Sequence, residues 1–141
     1  MVKLTKPLTS SKWVQQATVV KYGANIPDNL PIDLIGWRKI DKTLRNLTVQ
    51  TINNKVCAQQ LEKSGFDVTE NMICSRVLVA GGHSCPYQVG GPVFYKRVLI
   101  GIMSECNRNY VGNGTQSLLV STSVTSFTNW IIETARLRAQ S

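Results

Sequence analysis

The order of apolar and polar positions along the chain predicts a series of short strands. Residues 2–4 alternate apolar and polar side chains ahead of Pro7, which predicts a short strand that ends there. Similar patterns predict four more strands: 14–20, 30–37, 47–52 and 118–124. Residues 93–103 form two apolar runs around Lys96-Arg97, which is typical of a β-hairpin with a charged tip.

Two segments carry the spacing of a helix. Residues 54–63 place three side chains roughly on one side of a helix that Gly65 ends: Val56, Gln60 and Leu61. Near the C-terminus, residue 127 opens a second helix, and Thr125 or Ser126 is its predicted N-cap. One face of this helix is expected to pack on the strands: Phe127, Trp130, Ile131 and Ala135.

The bulk composition fits one folded domain. The 141 residues are 43% hydrophobic and 17% charged, and no apolar run is long enough to span a bilayer. Sixteen Lys and Arg residues against eight acidic ones give a net charge of +8, dispersed along the chain. The densest basic group lies between Arg38 and Arg45, with Asp41 inside it. We read this charge as solvated surface, and expect neither a nucleic-acid nor a membrane partner.

The four cysteines are an even number, which suggests two disulfides. Spacing alone allows three pairings. The chain contains no C-x-x-C and only one histidine, His83, whereas a zinc site needs three or four ligands. We therefore predict no metal site and no cofactor.

The stretch that carries chemistry is residues 83–92, His-Ser-Cys-Pro-Tyr-Gln-Val-Gly-Gly-Pro. It resembles, without a gap, the active-site loop of the trypsin-like (chymotrypsin-type) serine proteases, Asp-Ser-Cys-x-Gly-Asp-Ser-Gly-Gly-Pro. The resemblance places Val89 at the position of the catalytic serine. A nucleophile needs a hydroxyl that a base can deprotonate, and valine has none. The resemblance therefore implies that this chain contains no catalytic residue.

Neighbouring positions of the loop also depart from the family pattern. Tyr87 takes the place of a glycine whose N–H helps form the oxyanion hole, and a tyrosine does not easily adopt a glycine-only backbone. Gln88 replaces the aspartate that pairs with the freed N-terminal amine. His83 replaces the aspartate that gives trypsins their preference for Lys and Arg. Between Ser104 and Cys106 the chain also lacks three residues of the family's pocket wall.

Further landmarks support the resemblance over nearly all of residues 1–135: 2–4, Gly36-Trp37, Cys57, 72–74, Ser104 and 127–131. The pattern is most similar to insect digestive trypsins, particularly those of moths and butterflies. The resemblance implies an all-β fold, an antiparallel six-stranded barrel with a C-terminal α-helix, and adds a strand over 68–74. Residues 1–141 would form the second barrel of the two-barrel protease. The first barrel, with the catalytic histidine and aspartate, would lie outside this chain.

The resemblance also pairs the cysteines, Cys57 with Cys74 and Cys85 with Cys106. It implies a secreted protein, although residues 1–8 lack the apolar region of a signal peptide. Two N-glycosylation sequons begin at Asn46 and Asn113, both in predicted loops.

Three functions are compatible with this sequence. The first is an inactive protease homologue that works by binding, as a substrate decoy, an inhibitor trap or an assembly partner. The second is an active endopeptidase, which would need an unrelated nucleophile such as Ser84 or Ser104. The third is a truncated product without activity of its own, whose exposed interface the complementary first barrel would cover. Several altered positions along one pocket favour the first function.

Overall fold

The computed structural model describes residues 1–38, 41–78, 89–107 and 116–139. Within these residues the strands are β1 Thr18–Val19, β2 Pro31–Trp37, β3 Leu44–Ile52, β4 Met72–Leu78, β5 Pro92–Tyr95, β6 Val98–Asn107 and β7 Gln116–Ser123. The α-helices are α1 Asn54–Leu61 and α2 Thr128–Ala139. One 3₁₀ turn follows α1 at Glu62–Ser64, and another precedes α2 at Val124–Ser126.

Six of these strands close into an antiparallel barrel. The order around the ring is β2, β3, β4, β7, β6, β5 and back to β2. β1 adds a two-residue parallel pairing on β6. The six-stranded barrel with a C-terminal helix is therefore confirmed. Closure pairs each of these strands on both sides, which removes the exposed edges that would otherwise recruit other strands.

Alternation along the strands separates the barrel interior from its outer face. On β2, Ile32 and Leu34 are 1% and 0% exposed, whereas Asp33 and Ile35 point outward. The interior contains nine buried apolar residues: Ile32, Leu34, Val49, Ile73, Val77, Val93, Ile100, Met103 and Leu119. Full burial of one such side chain contributes roughly 1.5–3 kcal/mol.

A second cluster forms where α1 packs against the barrel. Its buried members are Ile52, Cys57, Leu61, Cys74, Leu118 and Val120. The side chain of Asn53 caps α1 by accepting a hydrogen bond from the Lys55 N–H at 2.9 Å. Gly65, with a φ of +69°, ends the 3₁₀ turn that follows. The predicted helix over 54–63 is thus confirmed as α1 and this turn.

The hairpin predicted around Lys96-Arg97 is also confirmed, as β5 and β6. Its two tip residues have φ values of +45° and +68°. Such a two-residue turn normally takes Asn-Gly, since a left-handed backbone costs other residues roughly 1–2 kcal/mol each. The tip is therefore strained by its own sequence.

The N-terminal segment differs from expectation. Residues 2–4 form no strand in the structure, because their side chains are exposed and they pair with no described strand. Of residues 14–20 only Thr18 and Val19 are in a strand, β1. The strand expected over 68–74 begins at Met72 instead, and β3 begins three residues earlier than predicted, at Leu44.

Of the face predicted to pack, the C-terminal helix shields only Ile131. Thr128 is buried and Ile131 and Thr134 are partly buried, whereas Phe127, Trp130 and Ala135 are exposed. The Thr128 hydroxyl lies 2.9 Å from the Val20 carbonyl and 2.8 Å from the Val124 carbonyl, so it ties the helix start to the barrel. The predicted N-caps, Thr125 and Ser126, are wrong, since both lie in the preceding 3₁₀ turn.

Candidate functional site

The Gly-Gly-Pro turn that precedes β5 is held on β6 by two backbone hydrogen bonds. The Gly90 N–H donates to the Met103 carbonyl at 2.7 Å, and the Met103 N–H donates to the Gly91 carbonyl at 2.8 Å. Gly90 has a φ of +92°, which glycine adopts without the penalty of a Cβ. Because Met103 is buried in the core, the turn is fixed to the barrel and holds Val89 outward, 67% exposed.

Val89 borders an apolar groove of about 450 Å³. We call it the Val89 groove, and it is lined by Ile35, Gly36, Trp37, Leu44, Val89, Gly90, Gly91 and Pro92. Trp37 and Leu44 lie directly opposite each other on β2 and β3, and they remain 54% and 56% exposed. None of the described lining side chains is ionisable or carries a hydroxyl. The described residues of the groove therefore offer shape and apolar surface.

The turn between β2 and β3 adds charge next to the groove. Asp41 lies between Arg38 and Arg45, each 3.7 Å from its Oδ2 atom. The Thr43 hydroxyl and N–H donate to Asp41 Oδ1 at 2.7 and 3.1 Å. These hydrogen bonds, and then the two arginines, hold the pKa of Asp41 below its ordinary value. With Lys42 beside them, the described residues of this turn carry a net positive charge between Trp37 and Arg45.

Several residues of the predicted site lie outside the described residues. They are His83, Ser84, Cys85, Tyr87 and Gln88. The expectations for the oxyanion hole at Tyr87, for pairing with the freed N-terminal amine at Gln88 and for the Lys and Arg preference at His83 therefore stay predictions. The described part of the site is Val89 with the glycine turn, β2 and β3.

The hydroxyl of Ser104 already donates a hydrogen bond within the barrel. It donates to the Val120 carbonyl at 3.0 Å from a partly buried position in an irregular stretch of β6. A nucleophilic serine needs a neighbouring base as its hydrogen-bond acceptor. A backbone carbonyl cannot remove a proton, so this hydrogen bond does not supply Ser104 with a base.

Cys57 and Cys74 form a disulfide with their Cα atoms 6.3 Å apart, the pair that the resemblance implied. The bond closes a separation of 17 residues, for which the chain-entropy model gives a stabilisation of roughly 3 kcal/mol. Cys106 is also disulfide-bonded. Its expected partner, Cys85, lies outside the described residues.

Of the two sequon asparagines, Asn46 lies within the described residues and Asn113 does not. Asn46 is exposed, but it lies in strand β3 opposite Ile35, so the expectation of a loop is wrong for this site. The polar stretch ahead of residue 47 has the composition of a loop because its side chains face solvent, while its backbone pairs with β2. Asn113 lies outside the described residues.

The contribution of Leu44 to the site does not follow from the sequence patterns above. They give Gly36-Trp37 as a landmark and begin the next strand only at residue 47, whereas Trp37 and Leu44 pair across β2 and β3. The signal that could have found this is an apolar pair flanking a short polar turn, a hairpin pattern.

The described residues contain no group of three or more His, Cys, Asp or Glu side chains placed to hold a metal ion. In the same part of the chain, neither helix has the length and apolar character needed to cross a membrane.

Comparisons with known proteins agree with this geometry. The family model for trypsin matches residues 1–131, and the chain belongs to the trypsin family. It is 29% identical over 142 residues to "Trypsin, alkaline A" of Manduca sexta, covering 93% of this chain and 53% of that protein. "Trypsin, alkaline B" of the same moth is 31% identical over 128 residues, covering 83% and 47%. The similarity to moth trypsins is therefore confirmed, and the chain spans about half the length of these relatives.

A solved structure described as a scabies mite inactivated protease paralogue has the same fold. It superposes with a TM-score of 0.74 at 15% identity, over 95% of this chain and 58% of that one. A kallikrein-related peptidase 10 structure gives 0.71 at 22% identity, over 94% and 62%. At these identities the likeness concerns the fold alone.

Proposed function

We propose that this chain is a catalytically inactive member of the trypsin family that acts by binding a polypeptide. The observation that carries the proposal is Val89, exposed beside the Gly90-Gly91-Pro92 turn at the position that the loop alignment gives to the nucleophile. Its isopropyl group has neither a proton to release nor a lone pair to attack a carbonyl. Removal of the serine nucleophile typically lowers the rate by about 10⁶.

The shape of the site supports binding in place of catalysis. The glycine turn keeps its hydrogen bonds to β6, so the turn beside Val89 is ordered although it carries no reactive group. The same barrel also occurs in the scabies mite protein that is described as inactivated. A scaffold of this kind is therefore compatible with loss of the chemistry.

The Val89 groove indicates the kind of partner. An exposed apolar groove next to a positively charged turn fits a polypeptide segment with apolar side chains and some acidic ones. We propose that the chain forms one barrel of a two-barrel fold and that its first partner is a domain like the other half of its relatives. A substrate-like or inhibitor polypeptide is the alternative occupant of the same groove.

We further propose that the protein works outside the cell. The described cysteines are all in disulfides, and such bonds persist in oxidising compartments. No part of the inactivity proposal depends on this location.

The test of inactivity is a comparison of the purified chain with a moth trypsin on Arg and Lys amide substrates. We expect no turnover from the chain at any pH, and none from Val89→Ser, because the single histidine, His83, aligns with the specificity-pocket position. Turnover by the unmodified chain would refute the proposal. Turnover by Val89→Ser alone would show that a functional base is present.

A further inference from the structure

The outer face of β2, β3 and β5 carries a second concave site, which we call the outer pocket. Its volume is about 380 Å³. Two partly buried apolar side chains, Ile35 and Phe94, contribute to its lining. The polar residues Gln15 and Gln16, from the segment before β1, line it as well. Asn46, the first residue of a sequon, also lines this pocket.

We propose that Asn46 carries an N-linked glycan and that the first sugar of this glycan lies in the outer pocket. The proposal rests on the extracellular location proposed above, and it is independent of the inactivity at Val89. It assigns both a modification and the surface that holds it.

The strand register brings the lining side chains together. Asp33 lies opposite both Thr48 and Phe94, and Ile35 lies opposite Asn46. Residues directly opposite each other in a sheet project from the same face, and so do alternate residues of one strand. The sequon Asn46-Leu47-Thr48 therefore presents both of its polar side chains on the face that holds Phe94.

The chemistry of the lining suits a sugar. Asp33 accepts one hydrogen bond, from the Thr48 hydroxyl at 2.7 Å, and its other oxygen is available. Among the described residues, the side chains of Gln15, Gln16 and Arg97 make no hydrogen bond or ion pair. These groups supply donors and acceptors, which hydroxyl-rich rings need in both kinds. The ring of Phe94 offers an apolar surface for the C–H face of a sugar.

The hairpin tip adds a hydrogen-bond donor to the outer pocket. Arg97 holds a φ of +68° where a glycine would be unstrained, and it lines the outer pocket. Here Arg97 would donate to the hydroxyl or amide oxygens of the sugar.

Occupancy is tested by expressing the whole chain in eukaryotic secretory cells behind a cleavable leader, so that the native leader is not assumed. Asn113→Gln removes the other sequon, and Asn46→Gln in that background is the matched control. We expect peptide mass spectrometry to find a glycan at Asn46 in the first protein and none in the second. An unmodified Asn46 in the secreted protein would overturn the proposal.

The position of the sugar is tested by thermal unfolding of the same Asn113→Gln protein before and after enzymatic deglycosylation. We expect deglycosylation to lower the Tm by roughly 2–4 °C, a size typical of one moderate interaction. Phe94→Leu and Gln16→Ala should shrink this difference, whereas Val56→Ala on the exposed side of α1 should leave it unchanged. An equal difference in all variants would show a glycan that lies outside the pocket. If the glycan is found elsewhere, the expected amidase result does not change. The glycan proposal and the inactivity proposal can therefore fail separately.

Discussion

The outer face of β2 and β3 has two ends that meet at Ile35, which lines both the Val89 groove and the outer pocket. Toward the hairpin turn the exposed side chains are Trp37 and Leu44, which water solvates poorly. Toward the other end lie the half-buried Asp33 and the exposed Asn46, whose polar groups water solvates well. Exposed apolar clusters mark sites where another molecule binds, whereas exposed polar side chains are stable in water with or without a ligand. The apolar end is therefore the one at which we propose that a partner binds.

We expect the largest effect to be a difference in the free energy of unfolding between a substitution in the interior of β2 and one at its apolar outer end. Leu34→Ala removes a fully buried side chain, so we expect a loss of about 2–5 kcal/mol in the free energy of unfolding. Trp37→Ala truncates a larger but exposed side chain, and we expect a change within about 0.5 kcal/mol. Urea unfolding of both variants measures this. A loss at Trp37 comparable to that at Leu34 would mean that the groove serves the fold.

A second, smaller effect should appear in the binding of an apolar dye. The Val89 groove is an exposed apolar site, so replacing Trp37 and Leu44 together by serine should lower ANS fluorescence by roughly half. Val56→Ser, on an exposed part of α1, is the matched control and should change little. Unchanged fluorescence in the double variant would show that the Val89 groove is not the main surface that binds ANS.

The smallest effect concerns the charged turn beside the groove. The pKa of Asp41 is lowered from 3.8 by its hydrogen bonds to Thr43 and by the two arginines. The stability that this carboxylate contributes is therefore present above pH 3.8 and is lost as the pH falls through the lower pKa of the folded state. Asp41→Asn should be slightly less stable than the parent near neutral pH and equal to it in strong acid. A difference in stability between Asp41→Asn and the parent that stays constant with pH would show that packing, and not the charge of Asp41, causes it.

Much of the fold could be predicted from the sequence because local pattern and family landmarks agree. The apolar run in residues 30–37 predicts a strand, and β2 occupies Pro31–Trp37. The hairpin at Lys96-Arg97 and the helix after Asn53 follow equally from local signals. Each of these elements has its determining residues within a few positions of one another.

The rest depended on contacts between distant parts of the chain. Residues 2–4 have the alternation of a strand, but a strand also needs a neighbour, and none of the described strands pairs with them. The face of α2 that packs is set by Thr128 reaching the Val20 carbonyl, a contact across 108 residues. For the site, the sequence predicts Val89 from its alignment but not the groove, because Trp37 and Leu44 meet only through the register of β2 with β3.

Catalytic inactivity is tested by intact-mass analysis of the folded chain after incubation with a fluorophosphonate, which forms a covalent bond with activated serines. A moth trypsin treated in parallel is the positive control. The valine at position 89 predicts an unchanged mass for this chain under conditions that label the trypsin completely. A single added phosphonyl group on any serine of the chain would contradict the account.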